Sequence, residues 1–249
     1  MSDCANCNGI GLVVTEKNGS RVARRCECMI EKILAQQLDK AKLPIRYRAI
    51  TFDGYRTEGL NATCIQAKRK AQALVANYIP GQPMRGLLLT GTVGVGKTHI
   101  AIATLRELVS TRGVTGLFCD FRELLTSIKE SYGDSSKGSE AQILKPVFDC
   151  DVVVLDELGA MKLTDWVFDT AELIINTRYN AGRTTIITTN YSASLAAPAD
   201  GANKYARAAT QETLRDRVGA RMYSRLLEMC ETVEMHGDDY RAKKGNKIV

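Results

Sequence analysis

The run Gly91-Thr92-Val93-Gly94-Val95-Gly96-Lys97-Thr98 sets a glycine, four residues and then Gly-Lys-Thr. That spacing suits phosphate binding. Glycines allow the backbone to curl until successive N–H groups point inward at an anion, and a helix that starts at the end of the run adds the positive end of its dipole. In such a loop the Lys97 ammonium reaches the β- and γ-phosphates of a nucleoside triphosphate, and the Thr98 hydroxyl holds Mg²⁺. A flexible glycine turn is the competing explanation. The run lies between the apolar stretch Leu87-Leu88-Leu89 and a segment of helical pattern, which is the context the chemistry requires.

Two further constellations follow downstream. Val152-Val153-Val154-Leu155-Asp156-Glu157 is an apolar strand ending in two carboxylates. Asp156 at the strand tip can orient water on Mg²⁺, and Glu157 can take a proton from an attacking water or position it. The acidic pair favours hydrolysis over simple nucleotide switching. Thr188-Thr189-Asn190 ends the next buried strand, so in a parallel sheet Asn190 faces the same crevice as Lys97 and Asp156 and can hydrogen-bond a γ-phosphate or its attacking water.

A third set lies at the start of the chain. Cys4-x-x-Cys7 and Cys26-x-Cys28 are separated by eighteen residues, while Cys64, Cys119, Cys150 and Cys230 are scattered singly. Four thiolates close a tetrahedral Zn²⁺ site that orders a segment lacking a core, although the second pair departs from the usual two-residue spacer. Reduced cysteines without metal are the alternative. The scattered four read as small buried hydrophobes. His99 and His236 are too isolated to rank as ligands.

These residues need elements to hold them. The first 28 residues hold glycine-rich turns and are too short for a core. A helix is expected from Met29 to Leu43, an irregular stretch over 44–61 and an Ala-rich helix from Ala62 to Ile79. Strands are then expected at Leu87–Leu89, Gly116–Asp120, Asp151–Leu155, Thr184–Thr189 and Glu231–Met235. The helices between them begin at Thr98, Phe121, Glu140, Trp166 and Gln211. Short apolar strands separated by helices imply an α/β fold with a parallel sheet covered on both faces.

The whole chain agrees with that scale. Its 249 residues, 45% hydrophobic and 25% charged, fall in the globular range. No apolar run is long enough to span a bilayer, and Met1-Ser2-Asp3-Cys4 lacks a signal-peptide pattern, so a cytoplasmic protein with no membrane partner is expected. A net charge of +6 tolerates an anionic partner such as nucleic acid.

The phosphate loop, the Asp-Glu strand and the Thr-Thr-Asn strand, in that order, resemble an AAA+ ATPase. Gly-Lys-Thr-His at 96–99, Ile-Asn-Thr-Arg-Tyr at 175–179 and Gly-Asp-Asp-Tyr-Arg at 237–241 resemble more closely the DnaC/DnaI replicative helicase loaders and the related IstB transposition ATPases. The resemblance covers about residues 50–241. It implies ATP and Mg²⁺ as cofactors, nucleotide-dependent homo-oligomers, single-stranded DNA and a hexameric helicase as partners. It also makes Asn190 the sensor-1 residue and Arg241 the sensor-2 arginine. Arg221 aligns best with the arginine finger given to a neighbouring subunit, with Arg217 and Arg225 as rivals at four-residue spacing; a solvated basic stripe explains the three equally well. The segment between Asp120 and Cys150 has room for the extra helix with which this clade grips DNA.

The expected organisation is a zinc-binding, partner-docking module over 1–49 and an AAA+ domain over 50–249. Residues 1–50 carry a formal +4, which four zinc-bound thiolates lower to about +2, so a helicase contact is as credible there as DNA. Cys4-Ala-Asn-Cys7-Asn-Gly-Ile-Gly11 resembles half of a DnaJ-type zinc repeat, but it occurs once. The expected activity is loading of a replicative helicase. An IstB-like transposase helper is the alternative, and the N-terminal cysteines favour the loader. A zinc-dependent nucleic-acid adaptor is a third possibility that Glu157 argues against.

Overall fold

The computed structural model of the chain describes residues 4–17, 20–57, 59–133, 138–161, 164–193 and 212–240. At the N-terminus β1 (Leu12–Lys17) and β2 (Ser20–Arg25) pair as an antiparallel hairpin, followed by helix α1 (Glu27–Lys40). A 3-10 turn at Ile45–Tyr47 and helix α2 (Ala62–Asn77) lead to the central sheet. Strands and helices then alternate as β3 (Gly86–Gly91), α3 (Lys97–Arg112), β4 (Gly116–Asp120), α4 (Phe121–Ser131), α5 (Glu140–Asp149) and β5 (Val152–Asp156). Helix α6 (Asp165–Asn180), β6 (Thr184–Thr188), α7 (Leu214–Met229) and β7 (Cys230–Met235) complete the series.

The five central strands are ordered β4-β5-β6-β3-β7, and every neighbouring pair is parallel. Parallel strands need crossovers, and here helices supply them. Side chains alternate across the sheet with the strand period of two. Leu87, Leu89, Val152 and Val154 join the core with α2, α3 and the end of α1, whereas Leu88, Val153 and Leu155 join the core with α4 to α7. The expected α/β class, with a parallel sheet covered on both faces, is the one observed. All four scattered cysteines are buried. No helix among the described residues is long and apolar enough to cross a membrane.

This topology gathers strand ends at one edge. Strand β3 ends at Gly91, β4 at Asp120, β5 at Asp156 and β6 at Thr188, and Asp120 is in register with Asp156. Local chemistry fixes where the helices begin. Asp120 accepts hydrogen bonds from the Arg122 and Glu123 N–H groups, starting α4 directly at the strand tip. Reciprocal capping by Ser139 with Gln142 and by Thr213 with Asp216 starts α5 and α7.

Three features depart from the sequence reading or lie beyond it. Within the first 28 residues β1 and β2 pair as a hairpin, which the reading of glycine turns did not anticipate. It was hard to foresee because its alternation is short and Leu12 and Val14 stay exposed, so apolar burial does not reveal it. Helix α7 is interrupted: Gly219 has φ 76° and ψ 156°, a conformation glycine tolerates, and the helix breaks there. The Ala-rich stretch 192–209, whose composition predicts an extended loop or frayed helix, lies outside the described residues from 194 onward, as does Arg241.

Candidate functional site

The phosphate-loop residues connect β3 to α3. Gly96, the residue before α3, has φ 97°, and a Cβ there would lie 2.5 Å from a ring carbon of Tyr55. Glycine is therefore required both for the turn and for the contact. The Tyr55 hydroxyl donates to the Val95 carbonyl at 2.7 Å, which ties the loop to the segment before α2. Lys97 is buried, and its Nζ donates to the carbonyls of Gly91 at 2.9 Å and Thr92 at 2.6 Å. Its ammonium thus lies across the inside of the loop, where an anion would be held.

Thr98 Oγ1 donates to Asp156 Oδ1 at 2.9 Å, and Thr188 Oγ1 donates to the same oxygen at 2.6 Å. Burial pushes the Asp156 carboxyl above its ordinary value, and Asp120 adds to this, while the Thr188 and Thr98 hydroxyls and Lys97 oppose it. A buried carboxylate beside a hydroxyl offers oxygen donors that fit Mg²⁺. Glu157 follows with φ 61°, a left-handed backbone that costs a non-glycine residue on the order of 1 kcal/mol or more. Its N–H donates to Thr188 Oγ1 at 3.0 Å, and its carboxylate pairs with Arg122 from the start of α4.

Lys97, Thr98, Asp156, Glu157 and Asn190 all line one cavity of about 590 Å³. Ile50, Tyr55 and Leu60 add apolar wall from the segment before α2. An apolar wall beside a glycine loop that encloses a buried ammonium suits a ligand with a flat base and an anionic tail.

The three candidate arginines differ. Arg217 donates to the Gly159 and Met161 carbonyls at 3.1 Å each, pairs with Glu212 and stacks on Tyr191. Arg225 hydrogen-bonds Asn176 and lies 3.6 Å from Glu172. Arg221 is 75% exposed and lies 3.7 Å from Glu172. The break at Gly219 separates Arg217 from the other two, so the three do not form one continuous helical stripe. None of them lines the cavity of its own chain.

The cysteine centre lies at the hairpin's base. A turn from Cys4 to Ile10 carries Cys4 and Cys7, with the Cys7 N–H donating to the Cys4 carbonyl at 3.1 Å and the Ile10 N–H to the Cys7 carbonyl at 2.9 Å. Cys26 has extended backbone at the residue before α1, and Cys28 stands in the first helical turn. That change of conformation lets a one-residue spacer deliver two converging sulfurs. All four sulfurs lie within 4.8 Å of one another, with Cys4 to Cys26 at 3.7 Å and Cys7 to Cys28 at 3.4 Å. Tetrahedral Zn–S bonds of about 2.3 Å separate sulfurs by about 3.8 Å, so the set fits. The Gly11 N–H donates to Cys7 Sγ at 3.3 Å and draws that thiol down to about 7, while the Cys7 and Cys26 sulfurs push Cys28 up to about 12. A bound cation would hold all four sulfurs as thiolates. His99 instead packs beside Tyr55 with Nε2 3.0 Å from the Thr51 carbonyl, and His236 lies beside Glu234.

The family model of IstB-like ATP-binding proteins matches residues 8–248. The chain belongs to that family. This IstB-like protein is 29% identical to the phage-like element PBSX protein XkdC of Bacillus subtilis over 184 residues, 71% of this chain and 67% of XkdC. The crystal structure of the DnaC helicase loader superposes with a TM-score of 0.62 at 32% identity, covering 78% of this chain and 100% of that one. The crystal structure of DnaI gives 0.61 at 26% identity, covering 78% and 95%. The chain spans between 51% and 67% of the length of the first curated relatives it matches. Sheet order, phosphate loop and these neighbours make it an AAA+ protein.

The IstB-like chain also contains participants that sequence reasoning missed. In the sequence Thr188 is only part of the run leading to Asn190, yet its hydroxyl bridges Asp156 and the Glu157 N–H. Arg122 carried no signal, because its partner Glu157 becomes a neighbour only through the pairing of β4 with β5. Arg178, within the 175–179 motif, is wholly buried and donates to the carbonyls of Val147, Cys150, Asp151 and Thr184. It joins α6 to the starts of β5 and β6. Arg241, assigned from the resemblance, lies outside the described residues.

Proposed function

We propose that this IstB-like protein is an ATPase that loads a hexameric replicative DNA helicase onto single-stranded DNA, with ATP binding and hydrolysis controlling assembly and release. One observation carries the reading. Lys97 and Thr98 from α3, Asp156 from β5, Glu157 just after it and Asn190 after β6 line a single cavity in a chain similar to the DnaC helicase loader.

Lys97 neutralises the β- and γ-phosphates, and the loop N–H groups of Gly91 to Gly96 bind them. Thr98 and Asp156 would hold Mg²⁺, which would supply neutralising charge for the phosphates. Glu157 leaves Arg122 to accept a proton from the attacking water, and Asn190 orients that water against the γ-phosphate. Arg221 acts on the neighbouring subunit's site; its exposure supports the choice over Arg217 and Arg225, whose guanidinium groups are committed within the chain. Arg241 contacts the γ-phosphate as sensor 2. Cys4, Cys7, Cys26 and Cys28 bind structural zinc. Residues 1–49 dock the helicase, and 50–249 form the ATPase.

A second reading, an ATPase assisting a DNA transposase, is favoured by the family match itself. Co-purification from the native host separates them, because a hexameric helicase in the eluate supports the loader and a transposase supports the helper. The loader also binds single-stranded DNA more tightly with ATP than with ADP, and binding weakens with salt. Equal affinity in both nucleotide states contradicts it.

A further inference from the structure

Cross-strand pairing in the hairpin sets Leu12 opposite Arg25, Val14 opposite Ala23 and Glu16 opposite Arg21 on one face. All six residues are exposed, Leu12 at 50% and Val14 at 66%, whereas Val13 and Thr15 on the other face of β1 are half-buried. Ile10, just before the strand, is 73% exposed. The hairpin therefore turns an aliphatic patch to solvent, with an arginine at each end. A sheet face of this kind is ordinarily buried against another element.

We infer that this face is a protein-docking surface whose occupant is an amphipathic helix of the hexameric helicase, with acidic side chains bordering its apolar stripe. The inference rests on the loader reading and narrows it to one surface. Three observations select the occupant. Residues 1–46 contain no Phe, Trp or Tyr, so the patch offers no platform on which bases stack, and aliphatic side chains suit protein. Arg21 and Arg25 flank Leu12 and Val14 on this face, so a complementary partner carries acid at its borders. On the same face Glu16 lies 4.0 Å from Arg21. A six-residue strand spans roughly 20 Å, the length of about four helical turns. A helix covers such a face, whereas an added strand would use the hairpin's edge and leave Leu12 and Val14 exposed.

The test measures the affinity of the full chain for the purified replicative helicase of its host, with ATP present. One variant combines Leu12→Ser with Val14→Ser, and a second combines Arg21→Glu with Arg25→Glu. These side chains are exposed and none is a metal ligand, so metal content and unassisted ATP turnover are expected to stay at wild-type levels. Each variant is expected to bind the helicase about tenfold or more weakly. If the serine variant loses its metal, the charge-reversed variant decides alone, and wild-type affinity in it overturns the inference. Failure of the wild type to bind the helicase removes the loader reading and the inference with it. Tight binding by the wild type and equally by both variants overturns the inference alone. Weakening by charge reversal without weakening by serine overturns the apolar helix and indicates a polyanion. Unchanged helicase affinity, with loss of a wild-type self-association, assigns the face to a second copy and also overturns it.

Discussion

At Glu157 the chain accepts a strained backbone, and the pairing of β4 with β5 brings the residue beside Arg122. Its role is separable from that of Lys97. Glu157→Gln keeps size and hydrogen bonding but removes the carboxylate, so ATP binding is expected to persist while turnover falls on the order of 100-fold. Lys97→Ala removes the cation from the phosphates, and ATP affinity is expected to fall about tenfold or more. Equilibrium nucleotide binding and steady-state hydrolysis on the same preparations separate the two. Normal turnover by Glu157→Gln would reassign the role of handling water. At this scale the sequence was most informative where spacing encodes chemistry: the glycines, Lys97 and Thr98 declare themselves by their order. Thr188 and Arg122 do not, since their contacts depend on strand register and on a capped helix beginning at Asp120. The short polar side chain of Asp120 hints at that cap, but nothing local hints at what Arg122 meets.

Among the elements, α6 and the hairpin show opposite means of holding position. Helix α6 is fixed by a buried guanidinium whose donors satisfy several carbonyls at once; burial draws the Arg178 pKa down, offset in part by Cys150 and its sulfur contact. Arg178→Met leaves those carbonyls without a donor, and a loss of about 3 kcal/mol or more in unfolding free energy is expected from denaturant melts. A change within 1 kcal/mol of wild type would mean that the carbonyls find other partners. The hairpin instead buries little, and its order is expected to depend on metal. Zinc at about one per chain is predicted in protein purified without added metal, absent from a truncation lacking residues 1–28. Chelation should unfold the hairpin, read as faster amide exchange in residues 4–28, while ATP binding by the core persists. Full metal content in the truncation contradicts the assignment. The central strands were legible from sequence because buried parallel strands read as short apolar runs, and Val152–Leu155 is an example. The hairpin was not, because a metal can replace the apolar face that pattern reading seeks. The break in α7 was also hidden, since Gly219 stands inside an otherwise continuous helical pattern.

At the scale of the whole molecule, the role proposed for Arg221 requires a neighbouring subunit. Arginine fingers act in trans, through heterologous head-to-tail interfaces that build rings or spirals. Arg221→Ala and Glu157→Gln should each be nearly inactive alone. In an equal, randomly exchanged mixture, about a quarter of interfaces combine an intact Glu157 with an intact Arg221, so ATPase activity is expected to rise above that of either variant. No recovery despite shown co-assembly would confine Arg221 to its own subunit, and recovery with Arg217→Ala or Arg225→Ala instead would move the finger along the helix. The central claim, however, is delivery of a helicase, and hydrolysis alone does not test it. The most direct measurement is the amount of host replicative helicase retained on closed circular single-stranded DNA, which has no end to thread, with and without this protein and ATP. The account predicts that retention and strand unwinding depend on the protein, fail with Lys97→Ala, and show helicase bound but not released for unwinding with Glu157→Gln. Equal retention and unwinding with and without the protein would contradict it.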